Sequence, residues 1–559
     1  AEASYEIASF NTHRISVNGL YRDSARNYFL GGEAFFNYSD NDYRVSVEIE
    51  NEQTSNMEKQ EVRLFHAAFK QYYGEVYGGV VNKKWADELR FGLTGFWIDR
   101  DNQYGANMVQ ALGASTSRQY SIIPTIRYKK NLFNDKLLID QFFVANTIHT
   151  EQVDTARGTY TWHGEFRPAE PGDPRRGETS IRGSLSDVAF SVFTSRTNLA
   201  YQLAPNHKLE LNAVFTKLKR VGSDPLGLRF KGSEIDILSV PAYYNKSITS
   251  FGIESHFFND KLVNNLIVKY YSYQTEALEG DWEGNRVDRT ASNSQWGIAE
   301  ALKIELTDHS FVRVSAEAAT RLPEQEEIFG NGNLHLSNFA LKPERSANLN
   351  VGFLTTKNNR FSLEVNSFYR LTHDLILNVP VNLIFNQNQN VENVKGIGLE
   401  ADVAVTILPW LKSNGNFTYQ DFRLFDTGNE TREGSRLRHT PYFFANLGLN
   451  ATSRKLFGTQ DRFEAYWYFT FVKEYYLDYL PKEFEPDGFL GLWGSAGVDA
   501  PNIIPDQTLH AVGLTYFPFN EKISFGMQCK NVFDTKVFDN FKIQNAGRSF
   551  HFKVTYTLN

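Results

Sequence analysis

The sequence has 559 residues, of which 41% are hydrophobic, 22% charged and 14% aromatic, and its formal net charge is −7. The single cysteine, Cys529, excludes an internal disulfide, and no Cys/His spacing predicts a zinc or haem attachment site, so we expect no cofactor. No lysine or arginine run indicates a nucleic-acid partner. No secretory leader opens the chain, and no stretch of 18 apolar residues predicts a membrane helix.

Apolar and polar residues alternate with period two along the chain, which predicts strands with one apolar face. Clear examples begin at Phe361, at Ile397 and at Phe550, where Phe550, Phe552, Val554, Tyr556 and Leu558 share one face. Many segments reach roughly ten residues or more, the length that a tilted strand needs to cross a bilayer. Counting hairpins from Tyr5 to Leu558 gives 22 candidate strands.

The connections between these strands are of two alternating kinds. Short ones repeat a Phe-Asn-Asp/Glu-Lys pattern at residues 133–136, 258–261 and 519–522, which is typical of tight turns. Long ones, rich in Gly, Asn, Asp, Tyr and Trp, fall near residues 151–186, 220–242, 275–292, 321–343 and 474–505. A soluble β-propeller would repeat a blade every 40 to 50 residues, and no such repeat is found.

We therefore predict one all-β domain over residues 1–559, a 22-stranded antiparallel transmembrane β-barrel with short periplasmic turns and long extracellular loops. Aromatic residues near strand ends are interpreted as interfacial girdles against outer-membrane lipid. The sequence has no nucleophile, phosphate-binding or metalloprotease motif, so we do not expect an enzyme.

Several segments resemble the signature boxes of TonB-dependent outer-membrane receptors. These are Arg-Leu-Pro-Glu-Gln-Glu-Glu-Ile-Phe-Gly at 321–330, Asn-Phe-Ala-Leu-Lys-Pro-Glu at 338–344, Asn-Leu-Asn-Val-Gly-Phe at 348–353, Asn-Val-Lys-Gly-Ile-Gly-Leu-Glu at 393–400, Asn-Val-Phe-Asp at 531–534 and Gly-Arg-Ser-Phe at 547–550. The resemblance implies location in the outer membrane of a Gram-negative bacterium. It also implies import of a scarce, bulky nutrient, driven by the TonB-ExbB-ExbD complex.

The resemblance favours an iron-siderophore chelate as the ligand, with haem, cobalamin, peptide or glycan as alternatives within the family. Family members carry an N-terminal plug and a TonB box, whereas this sequence begins directly at the barrel, so we expect both to lie outside residues 1–559. The resemblance is also compatible with a surface lipoprotein as a partner that covers the loops like a lid. Two functions of another class stay open, namely a passive outer-membrane pore and an adhesin or assembly component that binds a partner through its loops.

Candidate ligand-binding residues lie in the predicted outer loops. His335 falls in the interval where the haem receptors of the family carry an iron-ligating histidine, which makes it a candidate by resemblance, although one histidine in such a loop is also expected by chance. Aromatic loop residues can stack on a catecholate or a corrin ring, although loop packing explains them equally well. The full candidate set is Trp282, Arg321, His335, Tyr475, Tyr476, Tyr479 and Trp493. No metal site is predicted, because the acidic residues near Glu279 lack a calcium-loop register.

Overall fold

The computed structural model describes residues 1–51, 53–105, 108–280, 284–330, 335–358, 360–381, 386–458, 460–498, 500–518 and 521–558. Twenty-two antiparallel strands close into one barrel, as the alternation predicts. They are β1 (Glu2–Ala8), β2 (Thr12–Asp23), β3 (Tyr28–Ser39), β4 (Phe69–Lys83), β5 (Ala86–Asp101), β6 (Thr116–Leu132), β7 (Leu137–Asp154), β8 (Ser184–Ala204), β9 (His207–Ser223), β10 (Ala242–Phe257), β11 (Leu262–Gly280), β12 (Arg286–Thr307), β13 (Ser310–Arg321), β14 (Glu344–Lys357), β15 (Phe361–Pro380), β16 (Asn386–Leu408), β17 (Leu411–Phe425), β18 (Phe443–Arg454), β19 (Arg462–Val472), β20 (Gln507–Phe517), β21 (Ile523–Lys530) and β22 (Ser549–Thr557).

Shorter elements lie in the loops. Among the described residues, three two-stranded sheets form, and one short strand adds to the barrel wall. These elements are Arg44–Glu50 with Met57–Arg63, Gly158–Tyr160 with Phe166–Pro168, Tyr475–Tyr476 with Ile503–Ile504, the strand His335–Leu336, the helix α1 (Gln325–Phe329) and the 3-10 helices Ile237–Ser239, Lys482–Phe484, Phe489–Gly491 and Ala500–Asn502. Among the described residues, no helix is both long and apolar enough to span a bilayer.

Each strand pairs with its neighbours in sequence, and β1 pairs with β22 to close the barrel. Closure gives every described wall strand a partner on each side, which a wall surrounded by lipid requires. The inner end carries short turns, such as the two-residue link between β8 and β9. At 133–136 the turn has positive φ at Phe133, Asn134 and Asp135, in keeping with the Asn/Asp preference for such conformations.

The two faces of the wall differ in chemistry, because side chains alternate along every strand. Across the closing seam, Tyr5 lies opposite Val554, which lies opposite Phe525, so that one face is continuously apolar and exposed. The opposite face carries ion pairs, such as Arg14 with Glu6 at 2.7 Å. The apolar face suits lipid and the polar face lines the lumen, as the sequence pattern predicts.

The outer connections are long and tied to one another. Glu178, in the loop after β7, is buried and accepts hydrogen bonds from the backbone N–H groups of Gly113, Ala114 and Ser115 at 2.8–2.9 Å. One predicted loop is wrong in its extent. Residues 275–292 are mostly an extension of paired strands β11 and β12, because cross-strand hydrogen bonding continues to Gly280 opposite Arg286.

Candidate functional site

The loop of residues 322–343 is fastened at its base by Arg321, the last residue of β13. The Arg321 guanidinium donates to both carboxylate oxygens of Glu327 at 2.9 and 3.1 Å, and to Glu344 at 2.7 Å. Glu327 in turn accepts from the backbone N–H of Glu324 and so completes a capping box on α1. The contacts of Arg321 are those of a residue that positions the loop.

The same loop packs onto the lumen-facing side of the wall, at the outer end of the barrel. The Tyr244 hydroxyl donates to the Pro323 carbonyl at 2.6 Å, and the Tyr273 hydroxyl donates to the Leu341 carbonyl at 3.0 Å. Burying these aromatic rings with their hydroxyls paired fixes the loop over the barrel mouth. Residues of the loop and of the wall pack together in one buried cluster, which consists of Leu218, Ala242, Tyr244, Tyr271, Tyr273, Ala277, Leu322, Ile328, Phe329, Leu341 and Ile376.

His335 is held in this loop by the barrel wall. The strand His335–Leu336 pairs in parallel with the start of β16. The Asn388 amide donates to His335 Nε2 at 2.9 Å, and the Asn378 amide lies 3.4 Å from Nδ1. Burial lowers the pKa of His335 below its usual value, so the ring is neutral at pH 7.

An aromatic and cationic group lies next to His335. The Tyr479 ring has the guanidinium carbons of Arg432 and Arg438 each 5.3 Å from its centroid, within the range of a cation–π contact. Arg438 also donates to the Asn378 carbonyl at 3.2 Å, which joins this group to the His335 contacts. Arg432 lies 3.7 Å from the buried carboxylate of Glu392. We call His335, Asn378, Asn388, Glu392, Arg432, Arg438 and Tyr479 the mouth cluster.

A buried ion-pair network holds the two loops that supply Arg432, Arg438 and Tyr479 to the mouth cluster. Arg436, in the loop of residues 426–442, donates to Asp421 at 3.0 Å. Arg423 binds Glu485, in the loop of residues 473–506, through both guanidinium nitrogens at 2.9 and 3.1 Å. Because Arg436 lies two residues before Arg438, this network fixes where the cluster arginines stand relative to Tyr479.

The charge of the mouth cluster favours an anion. Two arginines face one carboxylate, and the Arg432 side chain remains 51% exposed. Burial, with the nearby Glu392 carboxylate as the next cause, raises the pKa of Tyr479 to about 12, so the phenol is neutral. Guanidinium groups suit planar oxygen anions, and aromatic faces suit flat ligands. The arrangement can therefore bind a flat, anionic ligand without covalent chemistry.

The structure brings together only some of the residues that the sequence singles out. His335 and Tyr479 are joined through Asn378 and Arg438, and Arg321 supports the loop that carries His335. Tyr475 and Tyr476 are each only 2% exposed, and the Tyr475 hydroxyl donates to Asn540 Oδ1 at 3.0 Å. Trp493 is 64% exposed, with its ring 6.3 Å from that of Phe489. Trp282 lies outside the described residues.

Sequence reasoning missed Arg432, Arg438, Glu392, Asn378 and Asn388. One sequence feature could have indicated this region: residues 386–390 are Asn-Gln-Asn-Gln-Asn, a run of five amide side chains that an alternating membrane strand does not need. Its place at the start of β16 marks where the strand leaves the lipid. Across the described ranges, no group of three His, Cys, Asp or Glu side chains is arranged to hold a metal ion.

The chain belongs to the family described as TonB dependent receptor-like, beta-barrel, which it matches over residues 226–532, more than half of its length. Family membership places the barrel in the outer membrane and implies small-molecule ligands and a partnership with the TonB system. A search of curated protein sequences finds no match.

Solved structures share the fold at low sequence identity. The chain is similar to the copper transporter OprC, with a TM-score of 0.75, 13% identity and coverage of 100% of this chain and 80% of that one. It is similar to the FrpB iron transporter (F3-3 variant) from Neisseria meningitidis, with a TM-score of 0.72, 13% identity and coverage of 99% and 80%. It also resembles the siderophore receptor PiuA from Acinetobacter baumannii, with a TM-score of 0.67, 12% identity and coverage of 99% and 81%.

Proposed function

We propose that this protein imports an anionic iron-siderophore chelate and that the mouth cluster is its first binding site. The observation that carries the proposal is the pair of arginines that both contact the Tyr479 ring, because a ferric catecholate presents both negative charge and flat aromatic rings. The similar structures include an iron transporter and a siderophore receptor, which agrees with an iron chelate.

The contacts of His335 speak against haem as the ligand. An iron-ligating histidine needs a nitrogen lone pair free to face the metal. Here Nε2 accepts from Asn388, and the Asn378 amide faces Nδ1. Haem ligation through Nε2 would require the Asn388 contact to be replaced, whereas an anionic chelate uses the arginines as they stand.

The import mechanism that we propose follows from the barrel. A wall of this circumference encloses a lumen that needs a plug to prevent leakage. We propose that a plug domain fills the lumen and that the TonB-ExbB-ExbD complex displaces it after the ligand binds. Polar side chains on the inner wall, such as Glu400 and Asp402 of β16, would face the plug and the passing ligand.

Binding of defined chelates to the purified full-length protein tests the ligand assignment. We would measure quenching of tryptophan fluorescence by a ferric tris-catecholate, a ferric tris-hydroxamate, haem and cobalamin. The double variant Arg432→Gln/Arg438→Gln should weaken catecholate binding by about tenfold or more, because two charge-assisted contacts are lost. The matched control is Arg175→Gln/Arg176→Gln, which removes the same charge from another outer loop.

Equal loss of affinity in both double variants would show that general loop charge, and not the mouth cluster, attracts the chelate. Tight binding of haem that depends on His335 would overturn the ligand class. Planar-bilayer recordings separate import from a passive pore, since a persistently open channel in the full-length protein contradicts a plugged receptor. Growth of a deletion strain on defined iron sources separates import from a role in adhesion.

A further inference from the structure

The outer surface of the barrel carries a groove on the lipid-facing side of β5 to β9. Its volume is about 890 Å³. Ile122, Pro124, Ala145 and Phe193 form its apolar floor, and Ile122 is among the most exposed apolar residues of the wall. An apolar groove of this size on a membrane wall has room for acyl chains.

A row of stacked rings borders the groove on its outer side. The Trp97 and Tyr120 rings stack with centroids 4.9 Å apart, and the Tyr120 and His149 rings stack at 4.8 Å with an interplanar angle of 2°. Amphipathic rings of this kind collect where hydrocarbon meets headgroups. The row therefore marks the level at which a bound lipid changes from acyl chain to headgroup.

Two lysines, Lys217 and Lys219 of β9, line the same groove. They follow the exposed Phe215 toward the outer end of the strand at Ser223, so they lie on the headgroup side of an apolar anchor. Both are exposed.

Among the described residues, the two lysines lack an ion-pair partner, in contrast to Arg118 on the same wall. Their cross-strand neighbours are uncharged, namely Ser191 and Phe193 on one side and Tyr243 and Asn245 on the other. In the part of the chain that the structure describes, neither lysine forms an ion pair. Arg118, by comparison, is balanced by Asp99 at 2.7 Å and Glu151 at 3.2 Å. The groove thus presents two positive charges that have no ion-pair partner among the described residues, next to an apolar floor.

We propose that this outer-wall groove binds a phosphorylated glycolipid of the outer leaflet, with an acyl chain on the apolar floor and a phosphate on Lys217 and Lys219. Lysine on a lipid-facing wall is unfavourable unless an anion compensates it, and phosphate supplies that anion. The outer-leaflet source is chosen because both lysines lie toward the long-loop end of the barrel. The site is separate from the mouth cluster and is independent of which nutrient is imported.

Lipid titration by native mass spectrometry tests this site on the full-length protein in detergent. The probes are lipid A, which is an acylated disaccharide with two phosphates, and phosphatidylglycerol. Lys217→Gln/Lys219→Gln should weaken lipid A binding by about tenfold or more, since each surface lysine near an anionic lipid contributes about 1 kcal/mol. Lys412→Gln/Lys553→Gln, on the lumen-facing side of the wall, makes the same charge change and should leave lipid A binding unchanged.

A second variant tests the acyl half of the site while keeping both lysines. Ala145→Phe fills the floor of the groove and should also weaken lipid A binding, with the β-sheet circular dichroism of all variants unchanged. Equal lipid A binding by wild type and the Lys217/Lys219 variant would overturn the proposal, as would an equal loss in the lumen-facing control. Phosphatidylglycerol binding as tight as that of lipid A would overturn the assignment to a glycolipid.

Discussion

The close contact between Gly398 and Phe368 offers a sharp test of how the inner wall is packed. Gly398 of β16 lies directly opposite Phe368 of β15, and the buried Phe368 ring covers the glycine. A Cβ added at Gly398 would lie 2.0 Å from Phe368 Cζ, and 2.4 and 2.6 Å from the two Cε atoms. The substitution Gly398→Ala therefore puts a methyl group where an aromatic ring already stands.

The expected cost follows from these distances. Carbon atoms in contact normally approach to about 3.5 Å, so the ring must move by more than about 1 Å. Movement is resisted because Phe368 also stacks on Phe422, with ring centroids 6.0 Å apart. Overpacking of this kind costs about 1–3 kcal/mol, whereas replacing a strand glycine by alanine otherwise gains about 0.5–1 kcal/mol. We expect Gly398→Ala to lower the free energy of unfolding by about 1–2 kcal/mol.

The assay is urea unfolding of the barrel in phospholipid vesicles, followed by tryptophan fluorescence and extrapolated linearly to water. The control is Gly526→Ala, because its added Cβ would meet no atom closer than 3.7 Å. Adding Phe368→Leu to Gly398→Ala should recover part of the loss, since the covering ring is removed. Equal effects of the two alanine variants would refute the packing argument.

Three further predictions concern the outer loops and are all measured by hydrogen exchange. Arg321→Met should increase exchange across residues 335–343 by an amount equivalent to about 1–2 kcal/mol, because Glu327 and Glu344 lose a shared partner that is partly exposed; unchanged exchange would contradict its positioning role. Glu178→Gln should lower the free energy of local opening at residues 110–115 by about 2 kcal/mol, since an anionic acceptor of three N–H groups is lost. An equal increase in exchange at residues 335–343 would instead indicate that the whole structure is loosened. The folded-state pKa of His335 lies below its unfolded value of about 6.5, so docking of His335–Leu336 should be stable at pH 7–8 and weaken as the pH falls through the folded pKa. After correction for intrinsic exchange, His335→Gln should remove this pH dependence. A pH dependence that persists in the variant would show that another group causes it.

The sequence predicted the barrel well because membrane strands leave a pattern in it. Alternation, strand length and the two kinds of connection are each imposed by lipid on one side and a polar lumen on the other. The tight turn at 133–136 could be predicted for a similar local reason, since Asn and Asp accept positive φ. The error at residues 275–292 has the opposite cause. A strand that leaves the bilayer keeps its hydrogen bonds but no longer needs an apolar face, so β11 and β12 extend beyond the point where their alternation ends.

The candidate site was only partly predictable, because its members come from separate outer loops and strand ends. Composition identified His335 and Tyr479 as residue types suited to ligands, but it gave the same weight to Tyr475 and Tyr476, which the structure buries. Lys217 and Lys219 were not singled out from the sequence, because only the pairing of β9 with β8 and β10 shows that their cross-strand neighbours are uncharged.

For this protein, the sequence alone determined the class of fold, the number of strands and the chemistry of the two wall faces, because each depends on residues near one another in the chain. The tertiary structure decided how the loops meet over the barrel mouth. Arg438 and Tyr479 are 41 positions apart in the numbering, and His335 is more than 100 positions from either, yet Asn378 joins the histidine to Arg438. Contacts across such separations depend on the path of the closed wall and on buried pairs such as Arg423 with Glu485, which no local pattern encodes.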